Sequence, residues 1–218
     1  GALEQSGMRL AGAGRDETAA AHPAVLEKHG LRVLVFAWGM DSSGVPAAWA
    51  AGPARAGVNF LPDLSPARIE GVAGTVHAHR RPGDLVVASL HWGSNWGHAI
   101  PKEQHRFAHA LIDEAGVDVV HGHSSHHPRA IELYRGKPIF YGCGDLINDY
   151  EGISGYDAYR GELGLMYFVT MDRARGKLLE LAMRPVTRRR LRLNASSEED
   201  AAWLAKSMDE VCARFGGR

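Results

Sequence analysis

Histidine is unevenly spread along these 218 residues: eight of the twelve fall between Asp84 and Asp149. One run, DLVVASLHWGSNWG, closes a β-type segment on His91. A second, GVDVVHGHSSHHPRAIELYRGKPIFYGCGDLIND, carries His121, His123, His126 and His127. Imidazole titrates nearest neutrality, so a group of histidines offers neutral nitrogen donors or proton carriers at pH 7. Three or more converging on one point make a divalent transition-metal site the leading chemistry, with Zn, Mn, Fe or Ni suiting imidazole better than Ca or Mg. Such an ion polarises a phosphoryl or carbonyl oxygen and activates water. The plain alternative is an exposed polar loop with no ion.

A lone histidine at a strand end, such as His91 in HWG, is more often structural than a ligand. The GHSSHH cluster reverses that balance, because His123 and His126 can fold a tight loop around one ion while His121 and His127 flank it. Asp145 follows GCG after a strand end, where a carboxylate can ligate or orient, and two glycines let backbone approach a ligand closely.

These residues need elements that bring them together. Asp84 to Leu90 and Val117 to Val120 are apolar β runs, each followed by a histidine. Between them, PKEQHRFAHALIDEA places Phe107, Ala108, Leu111, Ile112 and Ala115 on one helix face. Strand, helix, strand at this spacing is a βαβ unit with adjacent parallel strands. Both strands then finish at the sheet edge where ligands bind in open α/β sheets. Leu31 to Trp38 predicts a third strand, covered on both faces. Gly39 to Pro66 leaves the same edge as a long loop, which makes it a substrate-facing loop or lid with Asp41, Ser42 and Ser43 as candidates.

The remaining segments predict scaffold. Leu3 to Leu10 ends a helix, GAGRD at Gly12 to Asp16 is a turn rather than a phosphate loop, and Glu17 to Leu26 is helical with an interruption at Pro23. A helix runs from the Ser65-Pro66 start to about Arg80, with His77 and His79 on different faces. Ile131 to Tyr134 with Pro138 to Tyr141 forms one hairpin, and Leu165 to Met171 with Leu178 to Met183 another. Ser197 to Phe215 is a capped packing helix.

Bulk properties exclude several classes. The length fits one domain, and 25 basic against 25 acidic residues leave no net charge, so no nucleic-acid partner is implied. No apolar run reaches the roughly 18 residues of a membrane span. Cys143 and Cys212 make neither a disulfide framework nor a zinc-type pair. Arginines 184, 188, 189, 190 and 192 read as a solvated or salt-bridged surface, with a polyanion contact as the alternative. The chain opens on Gly rather than Met, as a processed or truncated product would, and a cytoplasmic location is favoured over the cell envelope.

The run LHWGSNWG together with VHGHSSHHPRAIELYRGKPIFYGCGD resembles the C-terminal half of the CapA family of poly-γ-glutamate capsule synthesis proteins, within the calcineurin-like metallophosphoesterase superfamily. The resemblance implies an α/β fold: a metallophosphoesterase-like layered sandwich, incomplete because the N-terminal part is absent, with residues 1–218 as one domain. It assigns His91 as the isolated metal-binding histidine and His123 and His126 as the pair of the Gly-His-x-x-His motif, with His91 and His123 as the catalytic groups. Asp145 stands where the family commonly has Asn, and Asn95 where a Glu often follows His-Trp-Gly. With His121 and His127, these two supply the surroundings of the ligands. The family's Asp-x-His-like, Asp and Asn-His ligands have no counterpart among these 218 residues, which implies an N-terminal segment not present here.

The implied activity is a divalent-metal-dependent hydrolase with one or two Mn, Zn or Fe ions, acting on a phosphoester or related anionic small molecule or polymer. The alternatives are a non-hydrolytic component of poly-γ-glutamate synthesis or export, and a metal-dependent amide-forming enzyme, against which the lack of a Walker-type loop counts.

Overall fold

The computed structural model describes residues 5–148 and 153–216. Asp149, which closes the histidine-rich stretch, and the first residues of the Leu3–Leu10 segment lie outside them; residues 8–10 are not helical. In chain order the elements begin with β1 (Ala13–Gly14), α1 (Glu17–Ala21), β2 (Ala24–Lys28), β3 (Leu31–Gly39), β4 (Gly57–Val58) and α2 (Pro66–His79). Then come β5 (Leu85–His91), α3 (Lys102–Asp113), β6 (Val119–His123), β7 (Ile131–Tyr134) and β8 (Lys137–Phe140). The C-terminal part is β9 (Leu163–Asp172), β10 (Lys177–Arg189), β11 (Arg192–Ala195) and α4 (Glu198–Cys212).

The centre is a six-stranded mixed sheet in the order β2-β3-β5-β6-β8-β7, with β3, β5, β6 and β8 parallel and β2 and β7 antiparallel at the edges. The predicted βαβ unit is β5-α3-β6, and its strands are neighbours. Both predicted hairpins form, as β7–β8 and β9–β10. β9, β10 and β11 make a separate three-stranded antiparallel sheet.

Helix α3 buries Phe107, Ala108, Leu111 and Ile112, the stripe its periodicity predicts. Ser197 caps α4 by accepting from the Asp200 amide, and the helix buries Leu204 and Met208 against Leu163 and Leu165 of β9. The Glu17–Leu26 helix expectation is corrected. The helix stops at Ala21, because Pro23 cannot continue it, and Ala24–Lys28 gains a full ladder against β3 instead.

The sheet has two unlike faces. Leu34, Phe36, Val86, Ala88, Leu90, Val120 and Ile139 point to the helices and are almost wholly buried. Their alternating neighbours Val33, Val35, Val87 and Val119 are only half-buried. β3 is therefore covered closely on one face, not on both. Along the open face runs a groove of about 730 Å³ lined by Val33, Val87, His121, His123, Phe140 and Leu165.

The amino ends of β5 and β6 are tied by ion pairs. Asp118 takes Lys137 Nζ at 2.8 Å, Arg80 Nη2 at 3.3 Å and the Val86 amide at 3.0 Å. Asp84 takes Arg32 Nη1 at 2.6 Å and the Arg81 amide at 2.8 Å.

Candidate functional site

Parallel register does most of the placing. Ser89 stands beside His121 and His91 beside His123, so four polar side chains share the open face at the carboxyl ends of β5 and β6. Gly122 lets the adjoining segments close in: a Cβ there would lie 2.5 Å from Trp92 Nε1 and 2.6 Å from the Phe140 carbonyl oxygen. The Trp92 amide donates to the His123 carbonyl at 3.0 Å, which locks the two strand tips together.

Within this patch His91 Nδ1 and His123 Nδ1 are 3.0 Å apart. The Ser89 hydroxyl bridges His121 Nδ1 at 3.0 Å and His123 Nε2 at 3.1 Å. Burial pushes the His123 imidazole down to about 3, helped by His121 and His91; burial also lowers His121, and lowers His91 with help from His126. All three rings are therefore neutral at pH 7, the form that donates a lone pair to a metal.

The Ser89 hydroxyl has one proton, so it donates to one ring and accepts from the other. When His123 Nε2–H donates to Ser89 and Ser89 donates to His121, the His123 Nδ1 lone pair is left facing His91.

His126 lies beside this patch. Its Nδ1 is 2.8 Å from Asp145 Oδ2, which also accepts from Asn148 Nδ2 at 3.1 Å. That carboxylate fixes the ring as an Nδ1–H donor and leaves Nε2 as the basic nitrogen. Trp96 covers the ring at 5.3 Å and stacks on Tyr156 at 4.3 Å. These residues, with Arg188, line a cavity of about 260 Å³.

The structure brings His91, His121 and His123 together through direct contact and Ser89, and sets His126 next to them on its own carboxylate. It does not close His91, His123 and His126 into one compact donor group. Among the described residues, the group of three or more such donors with mutually close ligand atoms is His105, His109 and Glu132. The donor set around His123 fits a borderline transition ion in chemistry, with neutral imidazoles and an oriented carboxylate–histidine pair, but supplies part of a coordination shell.

The other candidates take structural places. His127 is buried with Nδ1 3.0 Å from the Pro128 carbonyl, its ring stacked on Tyr159, and its pKa pushed down to about 4 by burial and His98. Asn95 shapes the loop, its carbonyl accepting from the His126 amide and its Oδ1 from the Ser124 hydroxyl. Ser42 and Ser43 pin the turn after β5: Ser42 Oγ accepts from the Gly93 amide, and Ser43 Oγ donates to the His91 carbonyl at 2.6 Å.

Gly142 is packed against protein rather than open to a ligand, since a Cβ there would meet Ser125 Oγ at 2.3 Å. Burial raises the Cys143 thiol to about 12, which removes it as a nucleophile. Sequence reasoning missed Ser89, Trp96 and Asn148. Ser89 was findable as the one polar residue inside LVVASL, two positions before His91 and hence on its face.

The family model of the bacterial capsule synthesis protein PGA_cap matches residues 1–150. The chain is 48% identical over 219 aligned residues to a probable polyglutamine synthesis accessory protein of Mycobacterium tuberculosis, covering all of this chain and 57% of the relative. It is 33% identical over 88 residues to the PGA biosynthesis protein CapA of Bacillus subtilis, covering 40% of this chain and 23% of that protein. The capsule biosynthesis protein CapA of Bacillus anthracis is 35% identical over 66 residues, 30% of this chain and 16% of the relative. The chain thus spans a little over half the length of the relative that it matches along its whole length.

Proposed function

The chain belongs to the CapA-like bacterial capsule synthesis protein family, and from that premise we propose that the intact protein is a divalent-metal-dependent hydrolase of the metallophosphoesterase type, acting on a phosphoester or a related anionic substrate. The observation that carries this reading is the pair of neutral imidazoles, His91 and His123, meeting at 3.0 Å on adjoining strand tips. His91 Nδ1 and His123 Nδ1 would hold one or two Mn, Zn or Fe ions, with His126 beside them on Asp145. When bound, such an ion supplies Lewis-acid polarisation of the substrate and an activated water. The chain's own residues do the rest: Ser89 sets the His123 tautomer, Asp145 orients His126, and Trp96 shields that ring from water on one side.

The test uses the full-length protein and a chromogenic phosphodiester with added Mn²⁺ or Zn²⁺. His123→Ala should lower turnover by at least about 100-fold and lose bound metal in parallel. Full activity in that variant would sink the assignment.

A second reading is favoured by the printed name of the mycobacterial relative, an accessory protein of polymer synthesis. In it, the same edge binds an anionic polymer such as poly-γ-glutamate without hydrolysis. Polymer binding with no turnover of any phosphoester would select that reading.

A further inference from the structure

We propose that His105, His109 and Glu132 form a second divalent transition-metal site, of the zinc class, on the helix-covered side of the sheet. The proposal stands apart from the reading of the His91–His123 edge. His105 and His109 are four residues apart on α3, the spacing that puts two imidazoles on one helix face, as in helical zinc-binding pairs. Glu132 reaches them from β7. The three donor atoms lie within 4.8 Å of one another: His109 Nε2 is 2.8 Å from Glu132 Oε1, and His105 Nε2 is 3.5 Å from Oε2. A tetrahedral ion with ligands at about 2.0–2.1 Å holds its donors roughly 3.3 Å apart, and the two nitrogen–oxygen spacings, one to each carboxylate oxygen, lie on either side of that value. An ion pair alone would need one imidazole, whereas here a second stands over the other carboxylate oxygen.

The surroundings hold the three groups in place. Tyr141 donates its hydroxyl to Glu132 Oε2 at 2.6 Å, which orients the carboxylate as an outer partner does in metal sites. The His109 ring lies flat on Tyr134 at 3.6 Å, and His105 stacks on Phe215 at 5.7 Å. The side chains of His105, His109 and Glu132 are 37%, 23% and 10% exposed, so the group is anchored from inside and open to solvent on one side. That opening gives an entry path and room for a water as fourth ligand.

The site cannot share an ion with the histidine edge. Glu132 pairs with Ile139, which pairs with Val120, all on the helix-covered face. His121 pairs with Phe140, which pairs with Ile131, on the other. An ion here would clip α3 to the edge strand β7, and binding would displace the His109 Nε2 proton.

The experiment titrates Zn²⁺ into the purified chain against a chromogenic chelator, in a background carrying His91→Ala and His123→Ala. One equivalent of Zn²⁺ should remain bound, and Co²⁺ in its place should give a tetrahedral absorption spectrum. Adding His105→Gln, at the most exposed of the three positions, should weaken affinity by more than about tenfold while the metal-free melting temperature stays put. Glu132→Gln should weaken it as well. A background variant that binds no Zn²⁺, or a His105→Gln protein with unchanged affinity, overturns the proposal. Because the background already lacks His91 and His123, its outcome is independent of any hydrolase activity.

Discussion

The two ends of β5 and β6 are built on opposite principles. Each strand is immediately preceded or entered by an aspartate, Asp84 or Asp118, and each ends on a histidine, His91 or His123. At the amino end the charges are ionised partners: Asp118 is 1% exposed and meets a lysine, an arginine and a backbone amide. At the carboxyl end the polar groups are half-buried neutral bases that touch each other and one hydroxyl. Charges that already have their counter-charges can only hold the sheet together. Neutral lone pairs gathered with few partners can still bind something, so one edge is scaffold and the other keeps groups able to take a ligand.

The largest break in this comparison comes from the scaffold edge. Asp118→Ala strips Lys137 and Arg80 of their buried partner and should cost about 3–5 kcal/mol in urea unfolding. A loss under about 1 kcal/mol would mean that the amino edge is not what fixes the strands.

The next effect is read through pH. His123 and His127 are held near 3 and 4 in the folded protein, against about 6.5 when unfolded. The unfolded chain therefore takes up protons first. Their contribution is fully present above about pH 6.5 and is lost as pH falls toward the folded values. For His127 alone the loss by pH 4 is on the order of 3 kcal/mol. Metal-free protein unfolded in urea at pH 7, 5.5 and 4 should show falling midpoints, and His127→Gln should flatten that fall. A flat profile in the parent protein would contradict the burial of these rings.

Much of this architecture is legible in the sequence, because periodicity reports burial. The α3 stripe, the βαβ crossover and both hairpins follow from apolar spacing and turn residues, and register then carries His91 to His123. What periodicity could not supply is which sheet face is covered. Leu31 to Trp38 is apolar on both faces, yet Val33 and Val35 stay half-buried, since a run of β-branched residues looks the same whether or not a second layer lies over it. The site was legible where a residue acts through its own type, as with His123. It was hidden where a residue acts through position: Ser89 looks like filler until a neighbouring strand brings two rings to its hydroxyl. His105 and His109 were hidden for another reason. Their helical spacing is visible, but Glu132 joins them only through the β7–β8 hairpin.

The smallest predicted effect is the sharpest test of the contrast between edges. Ser89→Ala removes one hydroxyl on the open face and leaves every apolar contact of β5 in place. If Ser89 were scaffold like Asp118, stability would fall by several kcal/mol. As a group that only sets which nitrogen of His121 and His123 carries the proton, it should cost about 1 kcal/mol in unfolding, the net worth of an ordinary hydrogen bond. The same change should weaken Zn²⁺ binding at His91–His123 by roughly 10-fold, as loss of an orienting partner does. Nitrogen NMR of the imidazoles would report the cause directly: a single tautomer of His123 in the parent, and a mixture in the variant. A single unchanged tautomer after Ser89→Ala would mean that the His91 contact alone orders the ring, and the carboxyl edge would then need only two of its four polar residues.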